Sequence, residues 1–218
     1  MAREYTITIA LAVAVLASCA NLPRSRDLGN PDVAGRVLAE QVCSNCHGVT
    51  GASVSPNMPN LAGQQKTYLV AQLSGFREKS RQDPAGYEYM WGISRSLTDR
   101  QIDELAEYFS AKTLKPQRIE RAPERIEAGR AIFAGGVPAS GVPACISCHG
   151  PEALGNDTYP RLSGQHADYV AKQLAVFQRT DQRPEGAVMR VVAHGLAPEA
   201  IDDVAAYLQA MPNVATAR

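Results

Sequence analysis

The chain has 218 residues, and its 22 lysines and arginines balance its 22 aspartates and glutamates to a formal net charge of zero. That balance argues against a nucleic-acid backbone as a partner, since binding one calls for a basic surface. The length allows one or two domains, and with only 6% aromatic residues small domains would gain from apolar surface supplied by a bound group.

Residues 1–18 read as a lipoprotein leader. Arg3 is followed by an apolar run from Ile7 to Ala17, too short to span a bilayer, which takes about 20 residues. The run closes in Leu16-Ala17-Ser18-Cys19, which looks like a bacterial lipobox. In such signals the chain is cut before the cysteine, whose thiol and amine then carry acyl chains. Several acyl chains on one residue hold a protein firmly at a membrane. Cleavage after Ser18-Cys19-Ala20 would instead leave a soluble protein. The expected location is the periplasmic side of a bacterial membrane, anchored at Cys19, with the short polar segment 19–30 as a tether.

The folded body is a tandem repeat. Cys43-Ser44-Asn45-Cys46-His47 returns as Cys145-Ile146-Ser147-Cys148-His149. Two cysteines two residues apart, followed at once by histidine, form the attachment pattern of c-type haem. Each thiol adds to one vinyl group of the porphyrin, and the pinned segment holds its imidazole over the iron. A zinc site would need further ligands nearby, and a redox dithiol would need a βαβ setting. No strand-like alternation surrounds either copy. The other cysteines being consumed, no structural disulfide is expected.

The repeat extends beyond the motif. Ala34-Gly35-Arg36 matches Ala128-Gly129-Arg130, and Pro59-Asn60-Leu61-Ala62-Gly63-Gln64 matches Pro160-Arg161-Leu162-Ser163-Gly164-Gln165. Tyr68, Gln72, Leu73 and Phe76 match Tyr169, Gln173, Leu174 and Phe177. The expected domains are 31–113 and 126–218, joined by a linker at 114–125 that contains Pro116 and Pro123. A Gly-, Pro- and Val-rich insertion at 135–143 reads as a surface loop. The coarse structure is helical. Leu69, Leu73 and Phe76 recur at helical spacing. Thr98-Asp99-Arg100-Gln101 is a capping box, opening a helix with Ile102, Leu105, Ala106 and Phe109 on its buried face. Pro198 opens the matching helix through Ile201, Val204, Ala205 and Leu208.

The repeat also sorts the candidates for the other axial position, because equivalent domains are expected to use equivalent ligands. Met90 lies seven residues before Leu97, and Met189 seven before Leu196; both stand just ahead of the terminal helix. Met58 aligns with Tyr159, His166 with Gln65 and His194 with Arg95. The two histidines are read as ordinary polar positions, with bis-His coordination in the second half as the alternative. Imidazole plus thioether leaves no open position on iron and raises its reduction potential. This is electron-transfer chemistry, and it argues against a di-haem peroxidase.

With both haem motifs, the two proline segments ending in Gly-Gln, Met90-Trp91-Gly92, Gly164-Gln165-His166-Ala167 and Met189-Arg190, the chain resembles the cytochrome c4 family of di-haem class I cytochromes. The resemblance implies an all-α protein of two small helical bundles, each around one covalently bound haem c, with haem edges facing across the interface. It implies that Pro59 and Pro160 offer their carbonyls to His47 and His149, a contact that fixes the ring and its basicity. It also implies a non-enzymatic carrier, fed by a quinol–cytochrome c reductase or a dehydrogenase and discharging to a terminal haem–copper oxidase. An electron-accepting subunit of a periplasmic dehydrogenase is the alternative.

Overall fold

A computed structural model describes residues 26–115, 121–179 and 181–211. The leader, Cys19, the alternative cleavage site at Ala20, most of the tether and Pro116 lie outside the described residues. Among the described residues the protein is helical, its only extended pairings being isolated bridges between Val137 and Val142 and between Asn156 and Tyr159. No described helix is long and apolar enough to cross a membrane.

In the first half, α1 (Gly35–Leu38) runs through a π-helical turn (Ala39–Cys43) into α2 (Ser44–His47). Then come α3 (Lys66–Arg77), a second π-helical turn (Gly86–Met90), α4 (Trp91–Ser94) and α5 (Asp99–Ser110). The capping box at the head of α5 is formed: the Thr98 side chain accepts from the Gln101 N–H, and the Gln101 side chain reaches back to the Thr98 N–H. Gln101 is fully buried because its Nε2 also donates to the carbonyls of Asn30 and Val33, at 3.0 Å each. Ile102, Leu105, Ala106 and Phe109 meet Leu38, Leu69 and Leu97 in the first core. Each such side chain removed from water contributes about 1.5–3 kcal/mol before entropy is counted.

The second half repeats the plan as α6 (Pro123–Gly135), α7 (Ile146–His149), α8 (Ala167–Arg179), α9 (Ala187–His194) and α10 (Pro198–Ala210). Its core gathers Phe133, Val170, Val204, Ala205 and Leu208. Two details differ from the sequence reading. α6 begins at Pro123, inside the segment read as linker; the fixed φ of proline and its missing N–H suit the first helical position. The insertion is not wholly a surface loop. Val137 and Val142 exchange backbone hydrogen bonds of 2.9 and 3.2 Å, and Val142 is buried with Leu196 and Ile201 in a small cluster of its own. A β-branched side chain in a Gly/Pro-rich stretch could still find a core once Gly195 let the loop backbone come close: a Cβ there would stand 2.3 Å from the Ser140 carbonyl oxygen.

In both halves the first helix crosses the last at a glycine. A Cβ on Gly35 would lie 2.5 Å from Glu104 Cβ, and one on Gly129 would lie 1.9 Å from the Asp203 carbonyl oxygen. The matched Ala-Gly-Arg segments of the repeat are therefore crossing points. Gly129→Ala is expected to force α6 off α10 and to destabilise the protein by about 1–3 kcal/mol or more. The urea midpoint of the holoprotein measures this; a midpoint unchanged from the parent would mean the crossing is not tight.

Candidate cofactor sites and the junction between them

Each haem motif sits on a single helical turn that ends with its histidine. Gly48 (φ 74°) and Gly150 (φ 77°) stop α2 and α7 at once, in a left-handed region that glycine enters without steric cost. His47 Nδ1 lies 3.0 Å from the Pro59 carbonyl oxygen, and His149 Nδ1 lies 3.0 Å from that of Pro160. A carbonyl only accepts, so Nδ1 carries the proton in both rings and the Nε2 lone pair remains available. Burial pushes both imidazole pKa values down, and the proline carbonyls pull only partly back. Both rings are held neutral, the form that binds a metal.

None of the four motif cysteines is in a disulfide; Cys46 and Cys148 are exposed and Cys43 and Cys145 are half-buried. Burial pushes the Cys43 thiol up to about 12 and moves Cys145 in the same direction. No group of three or more His, Cys, Asp or Glu side chains among the described residues converges as a metal-ion site. The surroundings are apolar instead. Leu61, Val70, Leu73 and Cys43 all pack against the first core, and Leu162, Ala171, Leu174 and Cys145 against the second. Val49, Val54, Tyr87, Tyr89, Val188 and Val191 are large apolar side chains left exposed, on segments that follow the first motif or flank Met90 and Met189. These residues fit a flat apolar macrocycle held by two thioethers with an imidazole on one face. Such a group, when bound, supplies reversible one-electron chemistry at its iron.

Met90 and Met189 are both half-buried. Met90 is the last residue of the second π-helical turn, and its carbonyl accepts from Ser94 Oγ at 2.6 Å. Met189 lies in α9. Both π-helical turns end on residues singled out from sequence, Cys43 and Met90, and such turns are frequent at functional positions. Met58 and His194 have no matched counterpart; Met58 is half-buried and His194 is exposed at the end of α9.

Between the halves lies a junction with near two-fold symmetry that the sequence reading had not assigned. Gly63 N–H donates to the Phe109 carbonyl and Gly164 N–H to that of Leu208, at 3.0 and 2.8 Å, so each Gly-Gln loop is fixed to the end of its own terminal helix. The glutamines then cross over. Gln165 Oε1 accepts from Asn60 N–H (2.8 Å) while its Nε2 donates to the Asn60 carbonyl (3.0 Å). Gln64 Oε1 accepts from Arg161 N–H (2.7 Å) while its Nε2 donates to the Arg161 carbonyl (3.0 Å). The next residue of each loop crosses as well: Gln65 Nε2 donates to the Leu154 carbonyl and His166 Nε2 to that of Ser53, at 2.9 and 3.0 Å. His166 is thus no ordinary surface polar residue. It is buried, does for the second half what Gln65 does for the first, and commits its Nε2 to the junction, which counts against iron ligation by His166.

Farther along the junction Arg81 and Arg183 face each other. Arg81 Nη1 donates to Gln72 Oε1 (2.6 Å) and Nε to Asp83 (2.8 Å). Arg183 Nη1 donates to Gln173 Oε1 (2.6 Å), Nη2 to Gln72 Oε1 (2.9 Å) and Nε to Glu185 (2.9 Å). Each guanidinium also lies over a phenylalanine of its own half, Arg81 over Phe76 and Arg183 over Phe177, at 4.4 and 4.7 Å. Burial works against the Asp83 carboxylate, but the Arg81 hydrogen bond and the charges of Arg81 and Arg183 outweigh it and hold its pKa below 3.8. Trp91, next to Met90, donates its indole N–H to the Arg81 carbonyl at 2.9 Å, tying the methionine segment to this cluster.

The cytochrome c family model matches residues 33–111 and 126–212. Cytochrome c4 of Azotobacter vinelandii is 37% identical over 179 residues, 78% of this chain and 84% of that protein. The thiosulfate dehydrogenase electron acceptor of Thiomonas intermedia is 32% identical over 176 residues, 78% of each chain. The crystal structure of reduced recombinant cytochrome c4 from Pseudomonas stutzeri superposes with a TM-score of 0.71 at 36% identity, covering 84% of this chain and 99% of that one.

The placement of His166 carries a pH dependence. Burial lowers its pKa below 6.5, with the Ser53 hydrogen bond and the Asp168 charge pulling partly back. The folded protein therefore binds fewer protons here than the unfolded chain does. That share of stability is complete above the unfolded value and is lost as pH falls toward the folded one. His166→Gln, which copies Gln65, is expected to flatten the fall in urea midpoint between about pH 7.5 and about pH 5.5; an equally steep fall in the variant would refute it.

Proposed function

The chain belongs to the cytochrome c family as a di-haem electron-transfer protein of the cytochrome c4 type, with two covalently bound haem c groups, and from that premise we propose a membrane-tethered carrier on the periplasmic side that delivers electrons to a terminal haem–copper oxidase. Cys43 and Cys46 would hold one group and Cys145 and Cys148 the other. His47 and His149 would be the proximal ligands, Met90 and Met189 the opposite ones, and Pro59 and Pro160 the groups that orient the imidazoles. With both axial positions taken by side chains, no position is left for a small substrate, and the thioether favours the reduced state.

The observation that carries this reading is the matched pair of histidines, each neutral, each turned by a proline carbonyl at 3.0 Å, in two halves joined through one buried junction. Two such centres in one body let the protein accept from one partner and deliver to another. Lipidation at Cys19 would confine that exchange to a membrane surface. The upstream donor would be a quinol–cytochrome c reductase or a dehydrogenase. A second reading makes the chain the dedicated acceptor of a periplasmic dehydrogenase, and the relative named as an electron acceptor of thiosulfate dehydrogenase favours it.

Met90→Ala and Met189→Ala are each expected to convert one of the two haems to a high-spin or substituted form and to remove its methionine–iron charge-transfer band. Retention of native low-spin spectra in both variants would overturn the ligand set. Deletion of the gene is expected to depress oxidase-dependent respiration, with fatty-acid labelling of the parent protein lost in Cys19→Ala. Unchanged respiration together with stable co-purification of a dehydrogenase subunit would transfer the role to the second reading.

A further inference from the structure

The Pro59–Asn60 peptide group is shared between the halves. Its oxygen stands 3.0 Å from His47 Nδ1, and its N–H donates to Gln165 Oε1 at 2.8 Å. The Pro160–Arg161 peptide repeats this in the opposite sense, its oxygen 3.0 Å from His149 Nδ1 and its N–H 2.7 Å from Gln64 Oε1. All four junction residues, Asn60, Gln64, Arg161 and Gln165, are buried. The orientation of both side-chain amides is fixed by a second donor: Gln165 Oε1 also accepts from His166 N–H, and Gln64 Oε1 from Gln65 N–H. A flipped amide would aim its NH2 at two other N–H groups.

A peptide group is polarised as a unit. An acceptor drawing on its N–H makes its oxygen a better acceptor, and hydrogen-bonded chains strengthen one another by about 10–30% per bond. A stronger acceptor at Nδ1 makes the imidazole more basic at Nε2, which favours the more positive state of a metal bound there. We propose that Gln165 and Gln64 are crossed positioning residues, each setting through one peptide group the reduction potential of the haem held by the other half. Gln165 acts on His47 of the first half, and Gln64 acts on His149 of the second. Docking of the two halves therefore lowers both potentials below those of separated halves. This rests on the reading of His47 and His149 as proximal ligands.

The test uses the holoprotein, with the two haems told apart by NMR signals assigned to each half and titrated against potential. Gln165→Leu fills the same space, excludes water and removes the acceptor. It is expected to raise the reduction equilibrium constant of the first-half haem about threefold, ~28 mV at 59 mV per decade for one electron, and to leave the second-half haem nearly unmoved. The His47 Nδ1–H resonance in the reduced protein is expected to move upfield. Gln64→Leu is expected to give the mirror pattern. Gln65→Leu removes a junction hydrogen bond that touches neither proline peptide, and is expected to move neither potential. Gln165→Glu keeps an acceptor for Asn60 N–H, so the first-half potential is expected to stay at or below the parent value even where the leucine variant fails to fold. Equal shifts of both haems, a shift confined to the mutated half, the same shifts from Gln65→Leu, or no shift at all would each overturn the proposal. Failure of the underlying ligand reading would appear separately, as loss of the histidine-ligated low-spin spectrum in the parent protein.

Discussion

The peptide bond after each site proline is the constraint on which the rest of the molecule turns. Its carbonyl orients an imidazole of its own half, and its N–H is claimed by a glutamine of the other half. Neither contact can shift without disturbing the other, because a trans peptide is a rigid plane. The loop carrying it is held in turn to the terminal helix by Gly63 and Gly164, and those helices are located by the glycine crossings at Gly35 and Gly129. A chain of short-range fixtures thus leads from helix packing to the angle of an imidazole ring.

The junction is polar, and its polarity has a physical logic. Burying unpaired polar groups costs about 1–3 kcal/mol each in proteins, yet here the glutamine and asparagine groups of the crossover are matched donor to acceptor. Asn60 spends Oδ1 on Ser53 N–H and Nδ2 on the Gly164 carbonyl, both at 2.9 Å. The arginine pair is harder to account for by stability alone. Breaking a buried ion pair is costly, but replacing it with apolar residues is often neutral or favourable. Its geometry supplies registry: two guanidinium forks reading two glutamines and two carboxylates admit only one mutual placement of the halves. An apolar interface of similar size would let them slide, and the crossed peptide contacts require that they do not.

Much of this was legible in the sequence, and the part that was not shares one cause. The haem motifs, the capping box at Thr98 and Gln101 and the apolar faces of the terminal helices depend on local spacing, which a sequence displays directly. The repeat also revealed Gln64 with Gln165 and Gln72 with Gln173 as matched pairs, but their meaning lay between the copies. A glutamine in an amphipathic helix reads as solvent-facing until a second body is placed against it; Gln72 and Gln173 are buried, each accepting from an arginine of the opposite half, Arg183 at 2.9 Å and Arg81 at 3.4 Å. His166 was misjudged for the same reason, since its alignment with Gln65 looked like the loss of a counterpart. The two halves repeat one geometry with a different donor, each side chain offering one N–H to a carbonyl of the opposite half. The start of α6 at Pro123 and the burial of Val142 were obscured by the prolines and glycines around them, which mark turns whether or not a helix or a core contact follows.

The two halves share a plan without sharing an environment, and that difference is itself functional material. Asp83 is wholly buried, whereas its counterpart Glu185 keeps 31% of its side chain exposed. The Glu185 charge is therefore better screened by water, and Arg183 is less fully neutralised at close range than Arg81. Asp83 also accepts from Gln173 of the opposite half at 3.3 Å. Two identical redox centres in identical surroundings would exchange an electron without preference. Departures from symmetry at the junction give the two halves different surroundings where each meets the other, and so remove that equivalence.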